Sequence, residues 1–190
     1  MRKLSILFAI SVLTVGQAAV GKEVGGIDIA ESITPQESGP ELVLNGAGIR
    51  KKFFMDIYVG ALYLPARTSS AEAIISDTGA AGVDMHIVYK EIDRQKLTDG
   101  WEDGFRLNLT ADQLAALRPK LDSFNALFTA VRKGDVIRIA YIPDTGTEVR
   151  INNELRGAVE GNDFFRALLK VWLGDRPVSK PLRQGMLGLD

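Results

Sequence analysis

Arg50, Asp56 and Tyr58 are the first residues whose types and spacing could do chemistry. They lie in LNGAGIRKKFFMDIYVGALYLP, residues 44–65. On a regular strand, residues two apart share a face. Arg50, Lys52, Phe54, Asp56, Tyr58, Gly60 and Leu62 then line one side, and Phe53, Met55, Ile57, Val59 and Ala61 the other. A guanidinium grips a carboxylate with paired, charge-assisted hydrogen bonds, and a phenol adds a further donor. Arg50 and Tyr58 are eight residues apart, about 26 Å along an extended strand at ~3.3 Å per residue. They meet only if the chain turns between them, and 51–53 is the place for a turn or a bulge. Without that turn, the pair reads as a solvated arginine and a tyrosine at the core's edge.

Other chemistries find little material. His86 is the single histidine and there is no cysteine, so the usual zinc and copper ligand sets are missing. No metal or other cofactor is expected. His86, in MHIVY, reads as a structural or solvated strand residue. No GxSxG elbow is present for a serine hydrolase. Gly46-Ala47-Gly48 is a fragment of GxGxxG, but Lys51 holds the third glycine position and a strand follows. A dinucleotide site needs a helix N-terminus there, so these glycines read as a sharp bend. Asp99, Glu102 and Asp103 read as a solvated helical face. Asn108-Leu109-Thr110 has the form of a glycosylation sequon at a helix junction.

The chain has 190 residues, 46% hydrophobic and 25% charged, with a formal charge of −1. This suits one globular domain with a sizeable core and gives no basic surplus for nucleic acid. Arg2 and Lys3, an apolar run from Leu4 to Val15 and the small residues of GQAAVG (16–21) have the layout of a secretory signal peptide. The run is shorter than the ~20 residues of a bilayer span, so no stable membrane span is expected after cleavage. Removing residues 1–21 takes away two cations and no acid, leaving a charge of −3. Periplasmic or secreted location is the expectation.

The elements that must position Arg50 and Tyr58 follow from pattern. Residues 22–40 form a lead-in with an edge strand over 27–33. Residues 42–44 begin a strand that 45–48 break or bend, and 53–64 carry the strongest strand signal. Ser69 or Ser70 caps a short helix, and 83–89 form a strand. Asp93 caps a helix with Leu97, Trp101, Phe105 and Leu109 on one stripe. Thr110 and Gln113 form a capping box for a helix that Pro119 is expected to kink or break. Residues 136–142, 147–151 and 154–159 form an antiparallel meander. Asn162 or Asp163 caps a helix over Phe164, Leu168, Leu169 and Trp172, and Pro177 and Pro181 bound a last short helix. Residues 41–190 are then a single α+β domain, with helices on one face of an antiparallel sheet.

The first motif, with KGDVIRIAYIPDTGTEVRINNELRGAVEGNDFFRALLKVWLG (133–174), resembles the chalcone isomerase-like family, in its bacterial exported branch. The resemblance covers about residues 40–188. It implies an open-faced β-sandwich with a ligand cleft between an antiparallel sheet and its helices. It also implies two activities. The family's isomerases close a phenolic enone by intramolecular addition, and their arginine matches Arg50. Their threonine, tyrosine and asparagine fall at Ile57, near Leu97 and near Gly104, so none is kept. The family's non-catalytic relatives hold a fatty-acid carboxylate with an arginine and a tyrosine, matching Arg50 and Tyr58. Three readings follow. The first is a binder of a fatty acid or other amphipathic carboxylate. The second is an isomerase on a phenolic or enone ligand with Arg50 as its electrostatic catalyst, Tyr63, Tyr89 or Tyr141 offering substitute hydroxyls. The third is an envelope protein-interaction module with a filled cleft.

Overall fold

The computed structural model describes residues 21–36 and 39–189. The expected signal peptide lies outside them, Gly21 apart. The chain runs β1 (Lys22–Val24), β2 (Ile27–Ile29), β3 (Ser32–Ile33), β4 (Leu42–Lys52), β5 (Met55–Leu64), α1 (Ala71–Ser76), β6 (Ala81–Ile87), β7 (Glu91–Ile92), α2 (Arg94–Asn108), α3 (Ala111–Ala126), β8 (Val131–Arg132), β9 (Val136–Ile142), β10 (Gly146–Ile151), β11 (Glu154–Val159), α4 (Asn162–Leu173) and α5 (Lys180–Met186). Seven strands form one antiparallel sheet in the order β11-β10-β9-β6-β5-β4-β3. The expected α+β fold is the one observed.

Strand alternation sorts the core into two clusters. On β5, Tyr58, Leu62 and Leu64 join the helices, whereas Val59, Ala61 and Tyr63 pack with Ile29, Ile33, Leu42 and Leu44 on the other face. The helical side is filled by aromatic rings. Leu97, Trp101 and Phe105 repeat every four residues on α2 and are buried, as are Phe124 on α3 and Phe164 and Trp172 on α4. The Trp101 ring lies 5.6 Å from each of Phe124, Phe128 and Trp172. Edge-on and tilted contacts of this kind add about 0.5–1.5 kcal/mol per pair beyond the area they bury. No helix among the described residues is long and apolar enough to cross a membrane.

Several expectations need correction. Asn45–Gly48 neither breaks the strand nor turns it sharply: β4 is continuous, with a register shift between Leu44 and Gly46. The glycines are there because α5 lies directly on them. A Cβ on Gly46 would stand 2.2 Å from the Gly185 carbonyl oxygen, and one on Gly185 would stand 2.5 Å from that of Ala47. Asn45 fastens this contact, donating to the Met186 carbonyl at 2.8 Å and accepting from the Thr68 amide at 2.8 Å. Phe53 and Phe54 are a turn, and the strand begins at Met55. Pro119 does not break α3, because it is exposed and the Ala115 carbonyl that loses its helical partner also sits at an exposed residue. Gly161, not Asn162 or Asp163, precedes α4, and Asp163 instead pairs with Lys120 at 2.6 Å. The lead-in holds three short strands in place of one, β6 ends before Val88, and Pro181 lies in the first turn of α5, where a missing N–H costs nothing.

Candidate ligand site

The β4–β5 hairpin brings Arg50 and Tyr58 together. They are direct cross-strand partners, and a register shift between Arg50 and Lys51 leaves Ile57 as the bulged residue. The Arg50 guanidinium carbon lies 5.6 Å from the centre of the Tyr58 ring, within cation–π range. Arg50 is half-buried and makes no ion pair among the described residues. Asp56, expected on the same face, is removed from it by the bulge and pairs with Lys51 at 3.0 Å.

Tyr58 is 2% exposed, and its hydroxyl accepts a hydrogen bond from the Trp172 indole Nε1 at 2.9 Å. Burial pushes its pKa up, against the pull of the Arg50 charge and the indole bond. The phenol therefore stays protonated and acts as a donor, not a base. Its own O–H has no acceptor among the described residues.

These groups border a cavity of about 30 Å³, lined also by Met85, Ile92, Lys96, Leu97, Gly100, Trp101, Val171 and Val178. That volume is about one water's share of the liquid. No aspartate, glutamate or histidine is in the lining. Trp101 is 4% exposed, and its indole N–H has no partner among the described residues. Lys96, at the surface, pairs with Asp93 at 3.0 Å. The polar side chains of the site are thus two cations, a phenol and an unsatisfied indole. Such a set matches a ligand that accepts hydrogen bonds and bears negative charge, with apolar matter beside it.

Sequence reasoning missed three members. Trp101 and Trp172 have the spacing of core stripes and are buried as such. Lys96 carries no pattern, and only its place one turn before Gly100 on α2 sets it at the cavity. Of the positions matched to the isomerases, Leu97 lines the cavity without a polar group, Ile57 does not line it, and Gly104 lies beneath Val171, whose methyl would be 2.7 Å from an added Cβ.

The remaining candidates lie elsewhere. Tyr63 is on the opposite face, donating to the Ala30 carbonyl at 3.1 Å, and Tyr141 stacks on Phe165 at 5.6 Å. Tyr89 is absent from the lining. His86 does not line the cavity, and burial lowers its pKa. Glu102 is held by both Arg118 nitrogens and Asn125, Asp103 pairs with Arg106, and Asp99 accepts from Gln95. Asn108 joins the end of α2 to Arg176. Among the described residues no cluster of metal-binding side chains is found. Larger open hollows of about 710 Å³ beside Asn45 and 700 Å³ beside Arg176 do not touch Arg50.

Comparison with known proteins agrees with this architecture. A fatty-acid binding protein of Arabidopsis thaliana is similar in structure, with a TM-score of 0.60 and 17% sequence identity over 83% of this chain and 96% of that one. At that identity the likeness is one of fold. No curated protein matches. The family model described as chalcone isomerase-like matches residues 21–188, a span holding every strand and helix described above, and the chain belongs to that family.

Proposed function

We propose that the protein is a non-catalytic binder of an amphipathic carboxylate such as a fatty acid, held by Arg50 and Tyr58. One observation supports this most: a half-buried arginine with no carboxylate partner among the described residues faces a protonated, buried phenol beside a small cavity whose lining holds no acid. A carboxylate completes both groups. The similar plant protein, a fatty-acid binding protein, points the same way. Turnover of a phenolic enone has less support, because Ile57, Leu97 and Gly104 offer no polar side chain.

The cavity of about 30 Å³ seats a headgroup and not a chain, since ligand pockets run to ~300 Å³ and more. A tail therefore requires α2 to part from the sheet and carry Trp101 outward. That movement breaks ring contacts of Trp101, although no hydrogen bond ties its indole among the described residues. The layout of residues 1–21 supports an exported, periplasmic or secreted chain.

Both tryptophans of the chain stand at the site, so titration with decanoate or palmitate is read by intrinsic fluorescence. Native mass spectrometry of the purified protein counts bound ligand. Saturable binding by wild type and at least a ~10-fold weaker Kd for Arg50→Ala are expected, from the ~1.5–3 kcal/mol of a hydrogen bond to a charged group. Equal affinity in the two proteins removes the carboxylate from Arg50, and no binding in either defeats the reading.

A further inference from the structure

The turn joining β4 to β5 has two residues, Phe53 and Phe54, closing Lys52 against Met55. Phe53 is 81% exposed, Phe54 99% and Met55 41%. Phe53 has a φ of 56°, a left-handed conformation that a residue with a bulky side chain adopts only at a cost. The two-residue turn between β10 and β11 uses Asn152 and Asn153, at φ 52° and 67°, residues suited to that geometry. Two phenylalanines in the β4–β5 turn serve neither turn chemistry nor the core.

The charges around the tip supply a second observation. The Val88 and Tyr89 amides donate to the Ile57 carbonyl, holding the following loop with Lys90 near the hairpin's tip. The Lys133 amide donates to the Lys90 carbonyl, so Lys133 joins the same end of the sheet. Of the nearby acids, Asp56 pairs with Lys51, Glu91 with Arg132 and Asp93 with Lys96; Asp135 accepts from the Arg132 amide and Asn152 and has no cationic partner among the described residues, one acid set against the free lysines. Lys52, Lys90 and Lys133 have no ion pair among the described residues. This end therefore presents surplus positive charge on a chain whose formal charge is −1.

We propose that the β4–β5 tip docks on anionic lipid bilayers. Phe53, Phe54 and Met55 enter the boundary between headgroups and acyl chains, and the lysines lie over the lipid phosphates. Arg50 and Tyr58, the third pair back from the turn, then stand at the membrane surface. Docking rests on the tip alone and stands whether or not the cavity holds a carboxylate.

Vesicle co-sedimentation of the intact purified protein tests this. Vesicles of phosphatidylcholine with about 30% phosphatidylglycerol should bind it at least ~10-fold better than pure phosphatidylcholine, and added salt should weaken the binding. The Phe53→Gly, Phe54→Asn double variant relieves the turn, so its melting temperature should hold or rise while vesicle binding falls at least ~10-fold. Lys52→Glu should lower binding to anionic vesicles at least ~5-fold, from ~1 kcal/mol for each lysine near a charged surface. Absence of wild-type binding, or equal binding by the turn variant, overturns the proposal. So does a dimer in sedimentation velocity that the turn variant abolishes while no vesicle binding is seen, which assigns the tip to self-association.

Discussion

Replacing Gly46 with alanine tests how α5 is held on the sheet. The added methyl would sit 2.2 Å from the Gly185 carbonyl oxygen, 2.8 Å from the Gly188 amide nitrogen and 3.0 Å from the Met186 carbonyl oxygen. All three are backbone atoms, so no side chain can swing aside. Reaching even 3.0 Å from the first oxygen moves α5 by about 0.8 Å. That shift strains the 2.8 Å bond from Asn45 to Met186 and unseats Leu182 and Met186, both fully buried. Overpacking costs ~1–3 kcal/mol, and loss of even a third of the burial of two such side chains adds ~1 kcal/mol at ~1.5–3 kcal/mol each. A destabilisation of about 2–4 kcal/mol follows, or ~5–15 °C in melting temperature for a domain this size. Thermal melts and urea titration measure it, and hydrogen exchange shows whether amides 182–188 lose protection first. Gly100→Ala is the control: nothing stands within 4 Å of its Cβ, so helix propensity alone should stabilise by up to ~1 kcal/mol. A Gly46→Ala protein that melts within ~1 °C of wild type with α5 protected would refute the close-approach account.

Tyr58→Phe leaves the Trp172 indole N–H buried without its acceptor. Stability should fall by ~1–3 kcal/mol and carboxylate affinity by about tenfold, read by urea titration and fluorescence; unchanged stability would show that the 2.9 Å bond contributes nothing. Glu102 has its pKa lowered below the ordinary 4.5, chiefly by the Arg118 hydrogen bonds. Its contribution is therefore present above about pH 4.5 and is lost as pH falls through the lower folded value. Both partners are more than a third exposed, so solvent screening keeps it under about 1 kcal/mol. Glu102→Gln should be less stable than wild type at neutral pH, with the gap in melting temperature closing as the solution is acidified toward pH 3.

Much of this architecture could be read from residue order because period and punctuation agree. Val136–Ile142 and Glu154–Val159 lie between clear turn signals, and the Thr110–Gln113 box marks the start of α3. Failures arose where a distant element sets the local outcome. Gly46 and Gly48 look like turn residues until α5 is placed on them, more than 130 positions later in the chain. Phe53-Phe54 has strand composition, and nothing local announces a reversal there. The site divides the same way. Arg50 and Tyr58 could be named, and their pairing requires a turn between them, which falls at Phe53-Phe54 and not over 51–53. Trp172 and Lys96 could not, because their roles depend on how α4 and α2 cross the hairpin.

The acid-free lining has a consequence for how any bound weak acid would respond to pH. Lys96 and Tyr58 ordinarily ionise well above neutrality, and the structure raises both further, Lys96 through its hydrogen bond to Asp93 and Tyr58 through burial. Between about pH 4 and 9 the lining therefore keeps a constant protonation state. A change in affinity across that window, once unfolding is excluded, reports the guest's titration and not the host's. The upper break of such a curve gives the pKa of the free ligand and the lower break its value when bound, and the first of these helps identify an unknown compound before its mass is assigned.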